Sequence, residues 1–373
     1  MTDARFDLVV IGGGLTGAAI AFGLRRLGRK LALLDEGDVA YRASRGNFGL
    51  IWVQGKGHGL PPYGSWTQRS AREWPRLAAE LRQETGIDVA LAQPGGLHLC
   101  LSSAELERRV ARLRQVVEQP GFERYDVDVL DRAAVLRRLP ELGPDVVGGT
   151  WSALDGHCNP LKLLRAFHVA LDRAGCAYRP QHAVQRIRSD GNGFVVETAQ
   201  GPVAAQRVVL AAGLGNAALA PMVGLVAPVH PNKGQVIVLE RVRPFLPFPI
   251  ETIRQTDEGT VLIGDAQQEK GFDDSLGIDV LATMAARAVR TFPFLRDVRV
   301  NRAWAALRVM SPDGYPIYAQ STTMPGAFVA TCHSGVTLAA AHAFALAPAI
   351  ATGALPPSLE SFGIGRFDVQ KAA

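Results

Sequence analysis

Residues Phe6 to Gly17 read FDLVVIGGGLTG, and the fold turns on that stretch. Phe6 to Ile11 is a short apolar run consistent with a buried strand. It leads into Gly12, Gly13, Gly14, Leu15, Thr16 and Gly17, followed by an Ala-rich helical run through Leu27. Strand, GxGxxG turn and helix in that order form the dinucleotide-binding fingerprint. Gly12 permits the tight turn, Gly14 lets backbone approach a pyrophosphate, and Gly17 lets the helix pack on the strand. The helix N-terminus then offers unpaired N–H groups to phosphate. A second strand, Lys30 to Leu34, ends at Asp35 and Glu36. An acid about twenty residues past the glycines accepts hydrogen bonds from a ribose diol and argues against a 2′-phosphate.

The rest of the composition sets bounds. A chain of 373 residues with 47% apolar side chains supports two or three domains, each with its own core, and the strand–turn–helix opening makes the expected class α/β. The first residues carry Asp3 and Asp7 and run straight into the glycine turn, unlike a signal peptide, so a cytoplasmic location is expected. The longest apolar stretch, Gly335 to Leu355, contains His342 and Pro348 and is mostly Ala; a buried helix is expected there, and no transmembrane segment. Cys100, Cys158, Cys176 and Cys332 are far apart with no CxxC pair, which supports neither a zinc site nor an iron–sulfur cluster. No metal is expected. The net charge of +5 comes from basic residues scattered singly along helices such as Glu105 to Val117, and nucleic-acid binding is not expected.

Further blocks extend the pattern. IGGGLTG, LLDEGD and ASRGNFG (Ala43 to Gly49) are followed by DGHCNP (Asp155 to Pro160), a strand and AAG turn (Val208 to Gly213), WAALRVMSPDGYPI (Trp304 to Ile317) and ATCHSGVTLAAA (Ala330 to Ala341). In this order, across nearly the whole length, they resemble the D-amino-acid oxidase superfamily of FAD enzymes, which includes glycine and sarcosine oxidases. SRGNFGLIWVQGKG and CHSGVTLAAAHA further resemble flavoprotein beta subunits of heteromeric bacterial dehydrogenases: opine (octopine and nopaline) oxidases, D-hydroxyproline dehydrogenase and the hydrogen cyanide synthase C subunit. The resemblance implies noncovalent FAD and a partner alpha subunit carrying further redox centres.

It also implies a split organisation. Strand–helix–strand patterning fills the start of the chain and returns in Pro160 to Ala174, Phe194 to Thr198 and Val208 to Ala212. Residues 1–55, 150–225 and 326–373 are accordingly expected to form a discontinuous Rossmann-type FAD domain. Residues 56–149 and 226–325 are expected to form an α+β substrate domain with a mixed or antiparallel sheet, including strands Gly234 to Leu239 and Thr260 to Ile263. Pro244 to Pro249 reads as a surface connection.

Oxidising an amine at flavin requires a neutral nitrogen, an aimed Cα–H, a substrate anchor and stabilisation of the reduced flavin; the cofactor carries the hard chemistry. By resemblance the anchor is Arg308, matching an arginine that holds the substrate carboxylate, as a guanidinium fork does well. A structural pair with Asp313 is the alternative, and Val309 stands where the family has proline. Ser334, Gly335, Val336 and Thr337 are expected at the N-terminus of the last long helix, facing the flavin pyrimidine. Ser44, Arg45, Asn47, Phe48 and Gly49 are expected along the nucleotide and ring, and Val184, Ala212 and Gly213 near adenine and ribose through backbone. Lys56, His58 and His333 are candidates for contact with substrate or the released proton, with a solvated loop or packed core histidine as the plain alternatives. Glu251 falls near the position of a substrate-binding tyrosine in glycine oxidase; it suits a cationic amine or guanidino group, with an ion pair to Arg254 as the rival.

The reaction so expected is hydride transfer to flavin N5 from the C–N carbon of a secondary amine carboxylate, such as an opine or D-hydroxyproline, giving an imine. Electrons then pass to the partner. The rivals are a stand-alone oxidase using oxygen and a non-catalytic electron-relay subunit.

Overall fold

The computed structural model describes residues 5–37, 43–264 and 266–367. Residues 1–4, 38–42 and 368–373, included in the expected nucleotide-binding segments, and residue 265, included in an expected substrate segment, lie outside them. The Phe6–Ile11 strand is buried along both faces. Leu8 and Val10 pack with Ile20, Ala21 and Leu24 of the Leu15–Arg25 helix, while Val9 and Ile11 pack on the other side with Val203, Val208 and Leu210. A strand covered on both faces has no polar side, which is why its sequence, apart from the half-buried Asp7, is apolar rather than alternating.

Among the described residues the main sheet has eight strands. Its spine runs Ile317–Gln320, Ala327–Thr331, Gly201–Leu210, Phe6–Ile11, Leu31–Leu34, Ala177–Arg179. All neighbours along it are parallel except the edge pair Ile317–Gln320 and Ala327–Thr331. Val184–Ser189 and Phe194–Thr198 add an antiparallel extension. Chain order reverses at the first strand, which has the second strand on one side and Gly201–Leu210 on the other. The carboxyl ends of such strands open a crevice where ligands bind.

Two antiparallel sheets draw mainly on residues 96–131 and 230–310, with the strand Gly148–Ser152 running across the boundary expected at 149/150. One is ordered Ile253–Gln255, Thr260–Ile263, His230–Arg241, Val300–Met310, and the other Gly96–Cys100, Gly148–Ser152, Asp128–Asp131. They share one core through Leu97, Leu99, Ile237, Leu239, Ile253 and Ile263. Backbone bonds join them, Leu97 N–H to the Pro249 carbonyl (3.1 Å) and Glu251 N–H to the Leu97 carbonyl (3.0 Å).

Several elements differ from the sequence reading. The Pro244 to Pro249 stretch is no mere surface connection, because Leu246 and Phe248 are buried in that shared core. The strand expected over Val208 to Ala212 begins at Gly201 and ends at Leu210, leaving Ala212 in the turn beyond. Pro61–Thr85 forms a 25-residue helix with Pro75 inside it, unanticipated because its face is mostly polar; Trp74, Leu77 and Leu81 bury its apolar stripe. The apolar stretch near the other terminus forms a buried helical run, Ala339–Ala341, His342–Leu346 with π geometry, and Ala347–Thr352. Within it the His342 ring bonds the Tyr318 hydroxyl at 2.8 Å. Among the described residues no single helix is long and apolar enough to cross a membrane.

Candidate active site

A cleft of about 820 Å³ lies at the carboxyl edge of the parallel strands. Each strand end contributes the residues that follow it: Gly12, Gly13 and Gly14 after the first, Asp35 and Glu36 after the second, Val184 beyond the outer strand, Ala212 and Gly213 after Leu210, and His333 and Gly335 after Thr331. Leu15, Thr16, Ser44, Arg45 and Asn47 complete the part to which the sequence points.

The glycine turn is held from two sides. Gly12 has φ +106°, and a Cβ there would stand 2.4 Å from the Ala211 carbonyl oxygen. Only glycine meets both conditions without strain. Gly17 lies outside the cleft, where a Cβ would collide with the Gly12 carbonyl, so it serves the close approach of helix and turn. Asp35 is buried, and its carboxylate accepts from Gly13 N–H (2.7 Å) and Gly37 N–H (3.0 Å). The acid thus braces the turn as well as facing the cleft. Ser44 Oγ accepts from Leu15 N–H at 2.9 Å, satisfying one open donor at the helix start. His168, absent from the sequence expectations, reaches the Gly13 carbonyl with Nε2 (2.8 Å), stacks on Tyr178 and lines the cleft. On an amphipathic helix it gives no signal of its own.

A second cavity, about 230 Å³, adjoins the first; Asn47 and His333 line both. Lys56, Glu251 and Arg308 face it, as do Phe48, Ser334, Val336 and Thr337. His58 is absent from both linings: its ring meets Gln115 Oε1 at 3.3 Å and its carbonyl accepts from the Tyr315 hydroxyl. Gly49 also lies outside, its N–H held by Asn47 Oδ1 at 2.7 Å.

Arg308 stands on the Val300–Met310 strand, with Nη1 donating to the Ala266 carbonyl (2.7 Å) and Asn232 Oδ1 (3.1 Å). The alternative pair with Asp313 does not form, because Asp313 is taken by Arg366 at 2.7 Å. The strand runs unbroken through Val309, so the missing proline leaves regular backbone. Glu251 pairs with His98, not with Arg254. Burial pushes the Glu251 carboxyl up, but the bond and charge of His98, with Arg109 and Lys56, outweigh it and hold the pKa at about 2. His98 could have been found from GLHLC, whose alternation sends Leu97 and Leu99 into the core and His98 to the other face. Arg254 is buried, donating to the Cys158 carbonyl at 3.1 Å, near the Phe48 ring.

Lys56 Nζ lies 3.3 Å from His333 Nε2 and 3.3 Å from Ser334 Oγ, and Ser334 meets the Tyr63 hydroxyl at 3.0 Å. Enclosure, then the charges of Lys56 and Arg308, press the His333 pKa well below its ordinary value, so the ring is neutral. The loop carrying Lys56 is fastened by buried Asp155, whose carboxylate accepts from Val53 N–H and Gln54 Nε2, both at 2.6 Å.

Contrary to expectation, Ser334 to Thr337 do not form the first turn of the helix, which begins at Ala339; they form a separate turn closed by Leu338 N–H to the Ser334 carbonyl (2.9 Å). Thr337 Oγ1 ties this turn to Trp52 N–H and the Leu50 carbonyl, both at 3.2 Å. Among the described residues no acceptor meets the N–H groups of Gly335, Val336 and Thr337.

The family model described as DAO, FAD dependent oxidoreductase, matches residues 7–349. The chain belongs to this family. It is 45% identical to the opine oxidase B subunit of Agrobacterium tumefaciens (strain Ach5) over 98% of this chain and 99% of that protein, and 45% identical to the opine oxidase B subunit of Rhizobium meliloti with the same coverage. The crystal structure of glycine oxidase from Geobacillus kaustophilus superposes with a TM-score of 0.87 at 26% identity, covering 96% of this chain and 98% of that one. As a member of the DAO family the chain is an FAD-dependent oxidoreductase acting on amine C–N donors.

The residues present fit that cofactor. A cradle that a Cβ at Gly12 would fill, a bracing acid and a helix N-terminus suit a pyrophosphate and ribose. Open N–H groups at the Gly335 turn suit a carbonyl or developing negative charge. Three cysteines, Cys100, Cys158 and Cys176, are buried away from the cleft; Cys332 lines it and lies 3.8 Å from Thr16 Oγ1.

Proposed function

We propose that this chain is the amine-oxidising subunit of a heteromeric dehydrogenase whose substrate is a secondary amine carboxylate, an opine or D-hydroxyproline, with electrons leaving to a companion subunit that carries its own redox centres. FAD, when bound, supplies the acceptor for the hydride lost from the carbon beside nitrogen. The residues proposed to hold it noncovalently are the glycine turn, Asp35, Ser44, Arg45, Val184, Ala212, Gly213 and the Gly335 turn.

The observation that carries the reading is the placement of Arg308 in a cavity that shares Asn47 and His333 with the nucleotide cleft. A guanidinium there receives a substrate carboxylate and fixes the amine carbon toward the shared boundary. Neutral His333 adds no charge that would repel a substrate nitrogen, and Phe48 gives the lining an apolar surface. The names of the similar opine oxidase B subunits favour a companion chain over a stand-alone oxidase. A relay subunit has no use for a carboxylate anchor.

The test is anaerobic mixing of the purified protein, with any chains that accompany it, against opines, D-hydroxyproline, proline, sarcosine and glycine. Bleaching of the flavin absorption by an opine or D-hydroxyproline, with slow reoxidation by oxygen, supports the reading. Bleaching by glycine alone with rapid oxygen consumption favours the stand-alone oxidase, and no bleaching with any amine favours the relay.

A further inference from the structure

Arg254 is a buried cation that the protein does not neutralise. Only 4% of it is exposed. Its Nη1 donates to the Cys158 carbonyl at 3.1 Å and meets His157 Nδ1 at 3.2 Å, and its Nε is enclosed without an acceptor among the described residues. Burial, then the charge of Arg254 itself, hold the His157 pKa at about 3, so that ring is neutral. Asp257, whose charge reaches the guanidinium from beyond ion-pair distance, is held by Lys162 at 2.8 Å. Burial lowers the Arg254 pKa to about 10, which still leaves the group charged at neutral pH. Enclosing a charge without a counter-charge is costly, and buried charges are ordinarily paired.

The place of this charge gives it a use. Its guanidinium carbon is 3.1 Å from where a Cβ on Gly49 would stand and 6.0 Å from the centre of the Phe48 ring. Phe48 lines the smaller cavity, and Asn47 lines both cavities. Arg254 itself lines neither, so it acts from behind residues 47–49. A fixed charge is screened far less across such an apolar wall than in water.

Resting on the expected place of the flavin ring beside Asn47 and Phe48, we propose that Arg254 is a tuning charge, whose field favours negative charge where the two cavities meet and so draws bound flavin toward its reduced, anionic form. Charge near the ring is one of the levers by which a protein sets flavin electronics. The role is separate from that of Arg308, which faces the substrate, and it holds whichever amine is oxidised.

The experiment measures the two-electron reduction potential of the flavin in the holoenzyme, by dithionite titration against a redox dye at pH 6. It also measures the Kd for sulfite, whose capture puts negative charge on the ring. Arg254→Met keeps the stem and removes the charge. It shifts the reduction equilibrium about tenfold toward the oxidised form, about 30 mV for a two-electron couple, and weakens sulfite binding by a similar factor. Arg254→Gln, which keeps a donor for the Cys158 carbonyl, gives the same shift where the Met variant does not fold. Arg254→Lys separates charge from shape: at pH 6 a buried lysine keeps more of its proton than at neutral pH, and most of the wild-type potential returns. A wild-type potential and sulfite affinity in the uncharged variants overturn the proposal. A shift in the Lys variant as large as that in the uncharged ones overturns it too, as does loss of flavin from both the Met and Gln variants, which marks the arginine as a support for residues 47–49. No amine enters these measurements, so their failure is distinct from failure of the amine carboxylate reading, which the amine panel tests.

Discussion

A Cβ placed on Gly234 would stand 2.7 Å from Nη1 of Arg308. The two residues lie on neighbouring antiparallel strands, with Asn232 opposite Arg308 and Gly234 opposite Ala306. The bare backbone at Gly234 gives the guanidinium its path to the cavity. Gly234→Ala therefore displaces the fork without touching the nucleotide cleft. A rise in KM of about tenfold, the scale of a misplaced anchor, is expected from steady-state kinetics, with flavin content preserved.

Arg308→Ala removes the proposed carboxylate anchor outright. The loss in kcat/KM corresponds to about 1.5–3 kcal/mol, the range for a hydrogen bond to a charged group. The flavin-to-protein absorbance ratio stays at the wild-type value. Departure of FAD along with activity would show that the arginine holds up the sheet instead, through its bonds to Asn232 and Ala266.

Gly12→Ala attacks the cradle itself. With φ +106° and the Ala211 carbonyl oxygen 2.4 Å from the new Cβ, the turn must deform. Strain of about 1–3 kcal/mol is expected from the backbone conformation alone. Purified variant that is pale yellow or colourless, with a lowered Tm, is the expected outcome; full flavin loading contradicts the placement of the cofactor.

The buried Asp155 makes a testable contribution to pH dependence. Burial raises its pKa from 3.8 to about 7, against the lowering effect of the bonds from Val53 and Gln54. The folded state therefore holds a proton that the unfolded state releases. Stability from this group is complete below pH 3.8, declines as pH rises, and is gone once pH passes about 7. Asp155→Asn, which does not titrate, should flatten the slope by up to about 1.4 kcal/mol per pH unit in that window. Urea unfolding of both proteins from pH 4 to 8 measures the difference, and parallel curves would show that Asp155 does not titrate there. Because Asp155 fastens the loop carrying Lys56, the flavin content of the variant is read alongside.

Much of the nucleotide half is legible in the chain's own letters. The GxGxxG turn, Asp35 and the apolar strand on either side are contiguous or nearly so, and their spacing is imposed by one strand–turn–helix unit. Elements with strong periodicity fall within a few residues of their expected bounds, as at Pro160–Arg173 and Ser103–Val117. The Pro61–Thr85 helix escapes a sequence reading because its exposed face is polar and Pro75 within it reads as a helix breaker. The helix after Thr337 starts a turn later than expected, since a Ser-Gly pair serves as readily for a preceding turn as for a cap.

The smaller cavity is another matter. Arg308 and Glu251 are candidates by resemblance, and only the structure shows that neither rival ion pair forms: Arg366 takes Asp313, and His98 takes Glu251. His98, His168, Tyr63 and Asp155 carry no local signal strong enough to single them out.

Sequence alone settles the α/β class and the dinucleotide cradle, because those depend on short-range spacing and on backbone geometry that only particular residues permit, while the choice of FAD comes from the resemblance of ordered blocks along the whole chain. Only the packed structure decides that Lys56 meets His333, 277 positions away, and that both share a cavity with Glu251 and Arg308. The reason is physical: these side chains come from a loop, a strand, a turn and a joint between sheets, and their separation in space is set by how those layers pack, a quantity that no local pattern encodes.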